Sequence, residues 1–275
     1  MSILDQIVAY KQKEVAERKS LFPEKLLEQS AYFRGKPVSM KKYILREDKS
    51  GIIAEFKRQS PSKGVINQYV SVERTSIGYM QAGASALSVL TDKQFFGGKN
   101  EDLTTARRFN FCPILRKDFI LDEYQVIESR SIGADTILLI AAIITPERVK
   151  ELAKFARSFE LEVLLEVHTL EELQNNLEAE VDLIGVNNRN LATFETNIET
   201  SKRLAEHIPA SVVKVSESGL NNADKIIELK EYGYRGFLIG ESFMMNSRPE
   251  KACVALIEEI KKKEAEKKPV LNQGM

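Results

Sequence analysis

A (β/α)8 barrel is the fold class this sequence predicts, and three observations predict it. Eight short apolar, β-branched runs recur along the chain, each followed by a segment with helical periodicity. Spaced roughly 20–35 residues apart, they fill about 250 residues, the length such a barrel needs. The competing doubly wound open sheet would carry a Gly-rich turn after its first strand. Here IIAEF runs into KRQSPSKG instead, with no G-x-G-x-x-G.

Residues 1–48 precede the first strand and read as helices: SILDQIVAYKQKEVAER, PEKLLEQS and a short SMKKYILRE. They are expected to cover the bottom or rim of the barrel, or to reach over its pocket. Strands are expected at IIAEF from Ile52, ALSVL from Ala86, CPILRKD from Cys112 and DTILLIA from Asp135. The remaining four are LEVLLEV from Leu161, VDLIGVN from Val181, VVKVSESG from Val212 and GFLIG from Gly236. Between them lie segments such as ERVKELAKFARSF and ADKIIELKEYGY, with apolar residues at helical spacing and a Gly or polar stop. The barrel is expected over 49–262. Residues 263–275 form a charged tail closing in PVLNQGM, which reads as disordered. No stretch of Gly, Ser or Pro divides the chain, so 1–275 is expected to be a single domain.

Forty Lys and Arg balance forty Asp and Glu, so no global positive field recruits nucleic acid. No apolar run approaches the roughly 20 residues of a membrane span, and the amphipathic N-terminus is unlike a secretion signal. Cys112 and Cys253 make no disulfide framework, and a reducing cytoplasm is the expected location. Two histidines and two cysteines carry no clustered zinc or haem signature, so no metal is expected. The chemistry then falls to Lys, Glu, Asn, Ser and Arg.

Strand ends are where such residues matter, because in a barrel the C-terminal ends face the active site and a charge there is expensive to desolvate. Glu55 and Lys57 lie two apart and share a face. They are either an internal ion pair at the mouth or a catalytic pair. Lys117 shares a face with Leu115 and reaches the mouth if Leu115 points inward; the other reading is a surface lysine beside Arg116. Glu166 lies inward with Leu164, costly alone but satisfied by a lysine across the mouth. Asn187 closes the sixth strand, followed by Asn188 and Arg189, while Glu217 and Ser218 close the seventh. Each is a weak signal. Together they put a Lys/Glu constellation on one rim, which stability alone does not explain.

A second pattern concerns phosphate, which barrels often bind after strands 7 and 8 with backbone N–H groups. Here those strands run into Ser218-Gly219 and Ile239-Gly240-Glu241-Ser242. Each glycine lets an anion approach the backbone, with Arg189 adding charge. The plainer alternative is that both are turn residues. Glu241, an anion beside an anion site, is a cost unless its side chain turns away.

The stretch IAEFKRQSPSKG, from Ile53 to Gly64, closely resembles the signature of the indole-3-glycerol phosphate synthase family of tryptophan biosynthesis. The resemblance continues in order through LRKDFI, LLEVH, IGVNNRNL, VKVSESGL and LIGES. It spans essentially the whole barrel and includes the N-terminal helical extension. It implies a (β/α)8 enzyme that needs no metal or cofactor. That enzyme converts 1-(2-carboxyphenylamino)-1-deoxyribulose 5-phosphate to indole-3-glycerol phosphate, CO2 and water.

Carried over by position, the resemblance implies that Lys117 is the general acid of ring closure. Glu166 is implied as the carboxylate assisting dehydration and proton removal. Glu55 and Lys57 match the paired groups near the substrate carboxylate and leaving hydroxyl, and Asn187, Glu217 and Ser218 match polar residues that orient the ribulose hydroxyls and the catalytic lysine. Ser60, Arg189, Gly219 and Gly240 match the phosphate set. Phe96, Phe119, Pro61 and Leu191 match the aromatic pocket, although as residues alone they read as packing. The expected partner is thus a small anionic sugar phosphate, bound by a monomer or weak homodimer, with no nucleic acid or membrane.

Two other barrels compete. An isomerase of phosphoribosylanthranilate or of a histidine precursor would use a Cys/Asp or Asp/Asp pair, whereas this rim carries Lys and Glu and Cys112 begins its strand. A non-catalytic sugar-phosphate sensor would keep the glycines and Arg189 without needing both lysines and both glutamates.

Overall fold

The computed structural model describes residues 3–191 and 193–267. Eight parallel strands close into a barrel: β1 (Ile52–Phe56), β2 (Ala86–Leu90), β3 (Ile114–Lys117), β4 (Thr136–Ile140), β5 (Glu162–Val167), β6 (Leu183–Asn187), β7 (Val213–Glu217) and β8 (Gly236–Ile239). Each pairs with its neighbours in sequence, and β1 pairs with β8 to complete the ring. Every strand falls within the run expected for it. The predicted (β/α)8 barrel is therefore the observed one, with its N-terminal helices in place.

Both faces of each strand are covered, which is why the runs are almost continuously apolar rather than alternating. Outward-facing Ile52, Ala54 and Phe56 of β1 pack against the surrounding helices, while Ile53 joins Leu115, Leu164 and Val215 inside. Helix starts are signalled by side-chain caps: Ser71, Asp122, Thr145, Thr169 and Asn222 each accept a backbone N–H of the following first turn. The last helix runs Pro249–Lys267, so residues 263–267 of the expected tail are helical. The rest of that tail, PVLNQGM included, lies outside the described residues. Among the described residues no helix is long and apolar enough to cross a membrane.

The odd strands repeat one device. Two residues beyond Ile53, Leu115, Leu164 and Val215, on the same inward face, stand Glu55, Lys117, Glu166 and Glu217. Alternate strands contribute the layers of a barrel interior, so these four form a charged layer stacked on an apolar one.

The N-terminal extension serves both ends. Helix α1 (Ile3–Leu21) lies across the C-terminal mouth, its Lys11 paired with Asp92 and Asp118 from the loops after β2 and β3. After the short α2 (Glu24–Leu27), helix α3 (Met40–Ile44) plugs the opposite end. There Met40 and Ile44 join the interior cluster, and Glu162 at the start of β5 accepts from the Lys41 amide at 2.9 Å.

Candidate active site

A cavity of about 400 Å³ opens at the C-terminal mouth. The candidate site residues line it: Glu55, Lys57, Lys117, Glu166, Asn187, Glu217 and Ser218, with Ser60, Pro61, Phe96, Phe119, Arg189, Leu191, Gly219 and Gly240, whereas Asn188 does not. Its size suits a small organic ligand.

At its floor the Lys117 ammonium donates to Glu166 Oε2 at 2.8 Å and Glu217 Oε2 at 2.7 Å. Lys117 points inward because Leu115 does. Arg116 faces outward and is buried against Glu128, Asp118 and Ser129. Burial alone would pull the Lys117 ammonium down, but Glu166, Glu217 and Glu55 outweigh it and hold its pKa above the lysine range. For Glu166, burial pushes the carboxyl up, yet Lys117 and His168 hold it below the usual carboxylate range. Glu217 goes the other way: burial, reinforced by Glu166 and Glu55, drives it up against the pull of Lys117. One layer thus holds two carboxyls whose environments push them apart, the arrangement from which acid and base roles are made.

Lys57 sits 3.0 Å from Glu55 Oε1, so the ion pair foreseen for β1 is formed and opens onto the cavity. Asn187 donates to Glu166 Oε1 at 3.1 Å, its own carbonyl accepting the Arg189 N–H at 3.0 Å, which fixes which end of the amide faces the glutamate. Two glycines make room for the charged layer. A Cβ on Gly185 would lie 2.2 Å from Glu217 Oε1, and one on Gly240 2.4 Å from Glu55 Oε1. Gly240 is therefore more than a turn residue.

After β7 the chain enters two consecutive left-handed residues, Ser218 at φ 66° and Gly219 at φ 74°. A serine there is strained and must be held by its surroundings. Asn188 donates to the carbonyls of Glu217 at 2.9 Å and Ser218 at 3.1 Å, and Lys225 donates to that of Gly219 at 2.9 Å. On the same side Arg189 donates to Phe194 O at 3.1 Å and to Glu241 Oε2 at 3.1 Å. Glu241 does not turn away from this rim; it faces the cavity, and the guanidinium offsets its charge. The opposing wall is apolar, with Phe96 and Phe119 rings 5.9 Å apart and Ile3, Leu4 and Ile7 supplied by α1.

Among the other lining residues, His168, Lys225 and the α1 side chains stand out. His168 follows Glu166 at the two-residue spacing of one strand face, a pattern legible in the sequence. Lys225 lies at the start of a helix rather than at a strand end, and the α1 residues come from a segment whose docking site no local pattern specifies.

The sequence model of the indole-3-glycerol phosphate synthase family matches residues 4–256. Curated relatives carry the same description. One from Bacteroides thetaiotaomicron is 48% identical over 247 residues, covering 90% of this chain and 94% of the relative. One from Caldanaerobacter subterraneus subsp. tengcongensis is 42% identical over 243 residues, covering 88% and 93%. A third, from Carboxydothermus hydrogenoformans, is 41% identical over 262 residues, covering 92% and 99%. Among solved structures, one titled "Native KDPGal structure" aligns with a TM-score of 0.55 at 15% identity, over 78% of this chain and 94% of that one. That similarity speaks for the barrel alone.

Proposed function

This chain belongs to the indole-3-glycerol phosphate synthase family, carboxy-lyases of tryptophan biosynthesis acting on a phosphorylated substrate, and from that premise we propose how its own residues run the reaction. The observation that carries the reading is the Lys117 ammonium shared between Glu166 and Glu217 at the base of a cavity with one apolar wall and one polar, strained rim.

The substrate brings an aryl carboxylate at one end and a phosphate at the other. The aryl ring lies against Phe96, Phe119, Pro61 and Leu191, with its carboxylate toward Lys57. The phosphate lies among Ser60, Arg189, Gly219 and Gly240, replacing Glu241 as the partner of the guanidinium. For closure, the ring carbon bearing the carboxylate attacks the ketone carbon. Charge then builds on the ketone oxygen, and Lys117 gives it a proton, leaving a hydroxyl and a neutral amine. The cationic ring takes up the electron pair released as CO2 departs, so the substrate is its own electron sink.

Dehydration needs a second proton for the departing hydroxyl. Lys117 has already given up its own, so Lys57 is the second acid, with Glu55 as its counter-ion. Glu166 removes the proton that completes the indole, and Asn187, Glu217 and Ser218 hold the groups in place.

Replacing Lys117 by Met tests the reading. Turnover should fall by about 10²–10⁴-fold, the usual share of a positioned acid, while substrate still binds through its phosphate. Indole formation can be followed by fluorescence because the chain contains no Trp. Near-normal turnover in the purified variant would remove Lys117 from the mechanism.

A further inference from the structure

His168 stands outside the roles assigned above, yet it is built into the site. Its Nε2 lies 3.4 Å from Glu166 Oε1, and its Nδ1 lies 3.4 Å from Glu172 Oε2. The same Glu172 oxygen accepts the His168 backbone N–H at 2.6 Å. Glu172 is itself fixed, because Thr169 caps α4 (Leu170–Asn175) by accepting the Glu172 N–H at 3.1 Å. The imidazole is thus clamped from the helix beside the glutamate, with only 8% of its side chain exposed. Its Nε2 is buried and has no hydrogen-bond partner among the described residues. A buried polar atom close to a carboxylate but not bonded to it is costly unless a small movement completes the contact.

Glu166 explains when that movement is needed. In the resting site its Oε2 is held by Lys117 and its Oε1 by Asn187. Once Lys117 has protonated the ketone oxygen, Glu166 keeps one neutral amide and loses the cation that favours its ionised form. We propose that His168, clamped by Glu172, is a positioning residue that keeps Glu166 ionised and aimed into the cavity while Lys117 is without its proton. The proposal rests on the reading of Lys117 and Glu166 given above. Three carboxylates face the imidazole: Glu166 near the end of β5, just before His168, Glu172 on α4 and Glu217 on β7, with Lys117 of β3 and Asn187 of β6 beyond Glu166. Burial favours the neutral ring, but these carboxylates outweigh it and raise the histidine above its ordinary value. The cation therefore persists to higher pH than in a free histidine and is lost beyond that, so kcat should decline on the alkaline side as His168 deprotonates.

The experiment has two arms. The chain has two histidines, His168 and the exposed His207, so proton NMR of their rings resolves two titrations and His207→Gln assigns them. The His168 midpoint should move to lower pH in both Glu166→Gln and Glu172→Gln. In the kinetic arm, His168→Ala should lower kcat about tenfold or more, as a misplaced catalytic group does, with KM nearly unchanged. His168→Gln, which keeps a donor but cannot titrate, should recover part of kcat and flatten the alkaline limb. A His168 titration that ignores both glutamate substitutions overturns the proposal, as does a folded His168→Gln variant with the parent pH profile. The NMR arm needs no turnover, so its failure is distinct from failure of the catalytic reading.

Discussion

Two lysines at the barrel mouth, each bridging several carboxylates, stand in contrasting surroundings. Lys117 bridges Glu166 and Glu217 with 14% of its side chain open to the cavity. Lys11 bridges Glu14 at 2.7 Å and Asp92 and Asp118 at 2.9 Å each, with 2% exposed and α1 laid over it. In both, burial opposes the charge and neighbouring carboxylates win, so both ammonium groups are held above the lysine range. A perturbed lysine alone therefore does not mark catalysis here. The partners do. Burial pushes the Asp118 carboxyl up, but Lys11 and Arg116 hold it far below the carboxylate range, so the ion pair is favoured from both sides. Glu217 is driven up while Lys117 pulls it down, so that contact is contested. The uncontested cluster fastens a helix, whereas the contested one, open to the cavity, is the one to which the proposed reading gives proton transfer.

The same substitution at both lysines puts the contrast at greatest risk. Lys117→Met should cost the 10²–10⁴-fold in turnover already stated, with a modest change in melting temperature, because the cavity lets the freed carboxylates take up a proton or water. Lys11→Met leaves Asp92 and Asp118 facing each other beneath α1. Breaking a buried ion pair costs about 3–5 kcal/mol, so the unfolding midpoint in urea should drop sharply while the folded fraction keeps most of its kcat. If the folded Lys11 variant were as inactive as the Lys117 variant, the division between fastening and catalysis would be wrong.

Lys57→Met sharpens the catalytic half. If Lys57 is the second acid, CO2 should still be released in a first turnover while indole fluorescence lags behind it. Equal rates for the two signals would return the dehydration step to Lys117. Gly185→Ala probes the contested layer without removing a charge. The added methyl needs the space Glu217 Oε1 occupies, so the carboxylate must shift and Lys117 with it. A misplacement of that scale can cost about 10²-fold, and kcat should fall well before stability does. An unchanged kcat would mean that the position of Glu217 is unimportant.

Why one lysine could be read from sequence and the other could not follows from the same physics. Lys117 shares a face with Leu115, so the sequence offered the mouth as one of two places for it, and the inward Leu115 of the structure decides between them. The same logic reached Glu55, Glu166 and Glu217, and the strands themselves, because buried parallel strands leave long apolar runs. Lys11 sits in a helix rich in lysine and glutamate, where a charged residue looks solvated; what buries it are aspartates 81 and 107 positions later, 92 − 11 and 118 − 11. Glu241 was hidden for the same reason, since its compensation by Arg189 crosses from β6 to β8. Pairwise contacts between distant elements leave no periodic trace in either partner.

Acid should separate the two lysine clusters with the smallest effect of the set. Asp118 has a folded pKa depressed below the ordinary aspartate value near 3.8, so the unfolded chain binds more protons as the pH falls through that value. Its contribution to stability is complete above that pH and is lost progressively below it, of order 2 kcal/mol for a paired aspartate. Urea midpoints measured from pH 5 downward should therefore fall more steeply for the parent than for Asp118→Asn, which has no proton to take up. The variant will be less stable at every pH because Lys11 and Arg116 lose a charged partner, so the slope rather than the midpoint is the quantity to compare. Glu217, whose folded pKa is raised, acts with the opposite sign: it favours the fold at low pH and weakens it as pH rises through the raised value, so it cannot imitate the acid loss assigned to Asp118. Parallel slopes for parent and variant would show that the α1 anchor does not draw its strength from the Asp118 charge, and the fastened cluster would then have to be explained by packing alone.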